Sequence, residues 1–366
     1  MTDAEPAPRQ SAQADRKAGV LSFALALVIG VAGGALFDQL RLPLPWLIGS
    51  MLFTTVAAMA GVPLHVPKPL RNAMVMILGI MLGSGFTPAI VGRLGEWTVS
   101  LGSLAAYLAV ATVVGVQYLR RTARLDPATS YFTATPGGLN EMVMVGTQMG
   151  GDTRTMALAH ALRVMLVVII IPFAFQSLGL YDPARRGTLG PGLLSLSLPD
   201  VALLSACALG YPIAKALRIP AAQIVGPMLL SAAIHLAGLT EGRPPGVLVA
   251  GAQVVIGAAL GARFTGLKVS RIGRDSLTAL GLTVLMLLVT TATAWLVDEA
   301  TGLGVAALIL AYAPGGLAEM TLVALALNID VALVATHHMV RIILIVTLAP
   351  AAYLLWRKWV TRAKRR

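Results

Sequence analysis

Apolar residues run along this chain in long stretches, separated by short clusters of charge, proline and glycine. The stretches show neither the two-residue alternation of a half-buried strand nor the one-sided spacing of a surface helix. Their length matches the roughly 20 residues that an α-helix needs to cross a bilayer. Twelve spans can be marked, near residues 19–39, 43–61, 70–90, 97–118, 127–149 and 155–177, then 200–216, 219–238, 246–264, 277–297, 303–327 and 331–356. The expectation is an all-α polytopic membrane protein of about 10–12 transmembrane helices. Spans three and nine carry the glycine-broken segments GIMLGSGFT and GAALGARFT. A segment there that dips in and returns would change the count.

The pattern also repeats. LRLPLPWLIGSML (40–52) aligns with LRIPAAQIVGPML (217–229) at an offset of 177 residues. GIMLGSGFT (79–87) aligns with GAALGARFT (257–265), and TPGGLNEM (135–142) with APGGLAEM (313–320), both at 178. The second offset also relates Asp152 to Asp330, His160 to His338, Arg163 to Arg341 and Pro172 to Pro350. Two internal repeats are therefore expected, with a disordered N-terminal tail (1–18), a first transmembrane repeat (19–178), a linker (179–199), a second repeat (200–357) and a basic C-terminal tail (358–366). Repeats of this kind are a common construction of secondary transporters. Six spans per half fit a parallel arrangement, whereas five, or a linker span, fit an inverted one.

Composition agrees with a bilayer as partner. Hydrophobic residues make up 57% of the 366 residues and charged ones 12%, with mean hydropathy +0.80. Soluble domains carry about 25% charged residues. The net charge of +12 comes from residues placed singly in short loops and at the ends, six of them in the last ten residues, RKWVTRAKRR. That distribution argues for the positive-inside bias of a cell (inner) membrane protein and against a nucleic-acid surface. With the N-terminus in the cytoplasm, Lys68, Arg71, Arg120, Arg121, Arg124, Arg185, Arg186 and the C-terminal cluster fall inside. Lys268, Arg271 and Arg274 disagree, falling outside. The charged N-terminal stretch reads as no cleavable signal peptide.

Candidate chemistry lies where breaks and charge occur inside apolar runs. Pro136, Gly137 and Gly138 in the first half, and Pro314, Gly315 and Gly316 in the second, combine a missing backbone donor with maximal backbone freedom. A helix broken there exposes free N–H groups and carbonyls at membrane depth, which transporters use to hold anions and ions. Glu141 and Glu319 follow the breaks, and Asn140 stands beside the first of them. An intramembrane carboxylate usually pairs, lines a watery path, or binds protons or cations. His160 and Arg163, like His338 and Arg341, share a helix face at i and i+3. Each arginine suits an anionic solute, or a pair with a glutamate that locks the broken helix to its neighbour. Asp152 and Asp330 read as N-caps. The GxxxG pairs Gly79–Gly83, Gly257–Gly261 and Gly30–Gly34 read as close-packing surfaces. Five histidines show no metal-ligand spacing, so no cofactor, metal site or catalytic residue is expected.

The LRLPLPWLIGSML segment and the PGGLNEM segment, with its spaced Asp152, His160 and Arg163, resemble the AbrB family of duplicated membrane proteins, from about Ala24 to the final span. The second half departs from the first motif, having Gln223 where the first has Trp46. Members of that family are often labelled ammonia monooxygenase or regulator of gene expression. More distantly, a broken helix followed by a final helix is similar to auxin-carrier, bile-acid-symporter and cation–proton-antiporter proteins. That likeness implies crossed broken helices and inverted repeats. The expectation is a transporter, not an enzyme, that moves a small organic anion with protons or cations and can form homo-oligomers. The alternatives are a small-molecule sensor that signals through a partner, or a membrane metal-dependent oxygenase.

Overall fold

A computed structural model describes residues 8–180, 189–266 and 269–363, with only the backbone path at 8–18, 89, 91, 140, 269–275 and 359–363. Linker residues Arg185 and Arg186, loop residue Lys268, and the two chain ends lie outside the described residues. Every described element is helical: α1 (Pro8–Gln39), α2 (Ser50–Met59), α3 (Lys68–Gly83), α4 (Pro88–Val91), α5 (Thr98–Thr122), α6 (Pro127–Ala134), α7 (Leu139–Gln148) and α8 (Thr153–Ser177). After the linker come α9 (Leu198–Ala206), α10 (Gly210–Ala216), α11 (Ala222–Leu236), α12 (Gly246–Gly261), α13 (Val269–Thr301), α14 (Val305–Tyr312), α15 (Leu317–Ala326) and α16 (Val331–Ala363).

Six described helical segments are long and apolar enough to cross a membrane, at Gly19–Gln39, Leu94–Thr122, Thr153–Ser177, Gly246–Phe264, Ser276–Thr301 and Val331–Lys358. The chain is a multi-pass membrane protein. The other expected spans are short or interrupted. α3 has 16 residues, about 24 Å of helix against a hydrocarbon core of about 30 Å. Residues 127–148 and 305–326 are each split into two half-helices, at the PGG motifs.

The described residues form two compact units, and each unit draws on both halves of the sequence. The first comprises residues 1–75 and 250–269; the second comprises 76–249 and 270–366. In the first unit α1 crosses a turn of π-helix, Pro45–Gly49, at Gly33 and Gly49, where backbone meets backbone. Gly257 and Gly261 of α12 then lie against Ser50, Thr54 and the Leu47 carbonyl of α2 and the turn before it. In the second unit α10 and α11 cross in the same way at Gly210 and Gly226. There Gly79 and Gly83 of α3 lie against Ile224, Met228 and Ser231 of α11. Ser231 Oγ donates to the Ile80 carbonyl at 2.8 Å. The GxxxG pairs thus act as the packing surfaces that their spacing predicts. Lipid supplies no hydrophobic drive between helices, so such close approach and such hydrogen bonds carry the association. The second unit also has an apolar core in which Tyr107, Phe132, Met142, Met156, Leu282 and Tyr312 are buried.

A β-carbon at Gly257 would collide with Ser50, whereas Gly251 of the same helix has nothing within 4 Å of that position. Gly257→Val is therefore expected to lower stability by about 1–3 kcal/mol. Gly251→Ala should leave stability unchanged or raise it by up to about 1 kcal/mol. Thermal unfolding in one detergent, with both variants side by side, checks the contrast.

Candidate functional site

Both breaks lie in the second unit and are built alike. α6 opens on Pro127 with Asp126 as N-cap, its carboxylate accepting from Thr129 N–H at 3.0 Å. It ends at Ala134 because Pro136 supplies no N–H and pushes Thr135 out of the helical region, to φ −60° and ψ 123°. α7 restarts after Gly138, which takes an extended conformation and offers no side-chain cap. In the second break α14 ends at Tyr312, Ala313 turns to ψ 136°, and α15 restarts after Gly316. Each break strands carbonyls on one side and N–H groups on the other.

The arginines and histidines of α8 and α16 take the carbonyls. Arg163 donates from Nη1 to Thr133 O at 3.4 Å and Thr135 O at 3.2 Å, and from Nη2 to Gly137 O at 3.1 Å. His160 Nε2 meets Phe132 O at 3.0 Å. Arg341 donates from Nη1 to Ala313 O and from Nη2 to Gly315 O at 2.5 Å, while His338 Nε2 meets Leu310 O at 2.9 Å. His338 Nδ1 lies 3.0 Å from Arg341 Nη2. Nδ1 therefore accepts and Nε2 carries the proton. All four side chains are at most 2% exposed. Centring an arginine in a membrane costs about 3 kcal/mol on insertion scales. Each charge-assisted hydrogen bond returns about 1.5–3 kcal/mol, so two or three of them outweigh that cost. The guanidinium also faces the negative end of a half-helix. The arginine–glutamate pair that the sequence left open does not form: these arginines bind backbone.

The glutamates occupy the opposite ends. Glu141 and Glu319 stand three residues after their N-cap glycines, the position from which a carboxylate reaches back to the start of its own helix. Each is folded so that a β-carbon on Gly138 or Gly316 would collide with its carboxylate. Glu319 is only 8% exposed, and Glu141 is half-buried. Neither forms an ion pair or hydrogen bond with another described residue. The Asn140 side chain lies outside the described ones. Pro136 and Pro314 shape the breaks, and Gly137 and Gly315 are covered by Met142 and Met320. The two breaks share neighbours, since Ile345 of α16 packs against Gly137. Tyr131 of α6 donates to Ala349 O of α16 at 3.1 Å. Tyr107 of α5 lies within electrostatic range of both arginines.

Around Tyr107 runs a buried polar seam that the sequence reading missed. Tyr312 donates to Ser100 O at 2.7 Å and meets Ser103 Oγ at 2.6 Å. His337 meets Ser100 Oγ at 3.0 Å and Leu333 O at 2.8 Å, and Tyr107 meets Thr290 Oγ1 at 2.9 Å. The usable signal was Ser100, Ser103 and Tyr107 at i, i+3 and i+7 of one apolar helix. The aspartates are N-caps, as their positions predict. Asp152 accepts from the N–H groups of Arg154 and Thr155, and Asp330 from those of Ala332 and Leu333. Asp330 also pairs with Arg93 at 3.4 Å. Among the described residues no three His, Cys, Asp or Glu side chains converge as metal ligands would.

Comparison with known proteins places these residues in a family context. The family model described as "Transition state regulatory protein AbrB" matches residues 46–357. A Bacillus subtilis protein, "Uncharacterized protein YhjN", is 27% identical over 355 residues, covering 89% of this chain and 91% of that protein. An Escherichia coli protein, "Putative regulator AbrB", is 26% identical over 345 residues, covering 91% and 95%.

Two outcomes follow from the geometry. Arg163→Lys should destabilise the protein almost as much as Arg163→Ala, by about 2–4 kcal/mol, because a point donor cannot span carbonyls that a planar fork does. Unfolding in denaturant checks the pair. Asp152→Ala should remove about 1 kcal/mol of cap stability at neutral pH. The Thr155 hydroxyl, with the N–H groups of Thr155 and Arg154, holds the Asp152 carboxyl below the usual carboxylate range. Its contribution is therefore present above the ordinary carboxylate pKa of about 3.9 and is lost as pH falls through the lower folded value. The gap between wild type and variant should close in acid.

Proposed function

The chain belongs to the AbrB family, and we propose that it is a secondary transporter that moves a small organic anion together with protons or another cation. The observation that carries this reading is the placement of Glu141 and Glu319 over the N-termini of α7 and α15. A helix N-terminus at membrane depth attracts an anion, and here each N-terminus carries an anion of the chain's own. A solute carboxylate or phosphate competes for the same N–H groups. Once displaced, the glutamate carboxylate is released from the helix end and carries the coupling proton or cation. Solute and proton then cross together.

Arg163 and Arg341 serve this reading chiefly as braces, with His160 and His338, on the carbonyl side of each break. Each arginine keeps a buried Nε–H without a described partner, a spare donor for the solute. The matching breaks fit two internal repeats that swap exposure to the two sides, as in other repeat-built transporters. The basic loops favour the cell (inner) membrane with the N-terminus inside. No covalent chemistry is required, so the reading is of a carrier and not an enzyme. A second reading, a membrane regulator that binds the same solute and signals through a partner, is favoured by the description of the Escherichia coli relative as a regulator.

Purified protein should be screened by thermal unfolding against small carboxylates, amino acids and organic phosphates, since a ligand of the native state must raise its stability. Hits then go to liposome uptake under an imposed pH gradient. Glu141→Gln and Glu319→Gln should unfold near the wild-type temperature, exchange solute across the membrane, and lose accumulation driven by the gradient. Unaltered accumulation in the double variant would sink the coupling role. A ligand that shifts unfolding yet never crosses the bilayer would transfer the site to the regulator reading.

A further inference from the structure

A groove of about 770 Å³ lies between α5, α6 and α16, in the second unit. Its walls are almost wholly apolar, among them Ala109, Val113, Leu344 and Leu348, and one end carries Arg120 and Arg121. Lining residues run along α5 from Ala105 to Arg121 and along α16 from Leu344 to Trp356. At 1.5 Å per residue these walls are about 24 Å and 18 Å long, against about 15 Å for one leaflet of hydrocarbon. Val113 and Leu348 are each 55% exposed along the groove. In a membrane-spanning helix such side chains face acyl chains. The groove is thus open sideways to lipid and closed at one end by cations.

Among the described residues the charge at that end has no acidic counterpart. No acidic residue lines the groove, and neither arginine forms an ion pair with a described residue. The Arg120 guanidinium instead lies 5.8 Å above the Trp356 ring, an arrangement that holds it at the groove end. Two positive side chains beside an aromatic ring, at the end of an apolar channel of leaflet length, match a phosphate joined to an acyl chain.

We propose that this groove binds one anionic glycerophospholipid, with an acyl chain between α5 and α16 and its phosphate held by Arg120 and Arg121. Thr135 lines the groove, and its carbonyl accepts from Arg163 at 3.2 Å in the first break. The bound chain therefore packs against the broken helix. The inference does not depend on the transporter reading.

The test uses the full-length protein in nanodiscs of mixed phosphatidylcholine and phosphatidylglycerol, extracted into mild detergent, with co-purified lipid weighed by native mass spectrometry. Wild type should retain phosphatidylglycerol in preference by roughly tenfold or more, the size expected from two basic side chains at a membrane surface. Arg120→Gln with Arg121→Gln should lose the preference but still retain lipid. Ala109→Trp, which fills the exposed groove wall, should lose retained lipid of both kinds. Thermal unfolding of each variant reports whether it is folded. Unchanged retention in both folded variants overturns the site. Displacement of the phospholipid by decanoate at equal concentration overturns the choice of lipid and makes the groove a site for free amphipathic anions.

Discussion

A carbonyl that loses its helix inside a bilayer must find another donor, and this protein supplies one with a buried guanidinium. The hydrocarbon core of a bilayer offers no water, and each unsatisfied backbone group there costs several kcal/mol. Arg163 and Arg341 each reach across from the following long helix to the end of a half-helix. The ends of the half-helices and the extended residues that follow them are held by that contact. An arginine is suited to the task because its planar fork addresses carbonyls two residues apart without losing its charge.

Each break is consequently polarised. Its carbonyl side is closed by a cation from another helix, and its N–H side is approached by a carboxylate from its own. The cation is fixed by two or three hydrogen bonds, whereas the carboxylate has none to a described residue. The hydrogen-bonded cation and the carboxylate thus stand on opposite sides of each break. The bracing contacts come from α8 and α16, and the carboxylates come from α7 and α15 themselves.

Much of this was legible in the sequence. Proline followed by two glycines in an apolar run marks a break whatever the fold around it, and Asp152 and Asp330 stand where N-caps must stand. The GxxxG pairs announced close packing. The partners of the arginines were not legible, because a backbone carbonyl has no residue type and leaves no mark in composition. A search among side chains led to a glutamate instead. The polar seam was hidden for a related reason: Ser100, Ser103 and Tyr107 are ordinary in a membrane helix until Tyr312 and His337 arrive from more than 200 residues away. Nor could the repeat show that glycine faces would pack across halves, since like sequences pack equally well on themselves or on each other.

That exchange has a bearing on how the chain is made. α1 and α2 enter the membrane early, yet the glycine face that packs against α2 belongs to α12, which is synthesised after residue 245. α3 likewise waits for α11. During translation Ser50, Thr54 and the Leu47 carbonyl therefore have only lipid or a transient companion where α12 will lie. The packing faces of α2 and α3 are thus completed only once α11 and α12 have been synthesised, late in the chain.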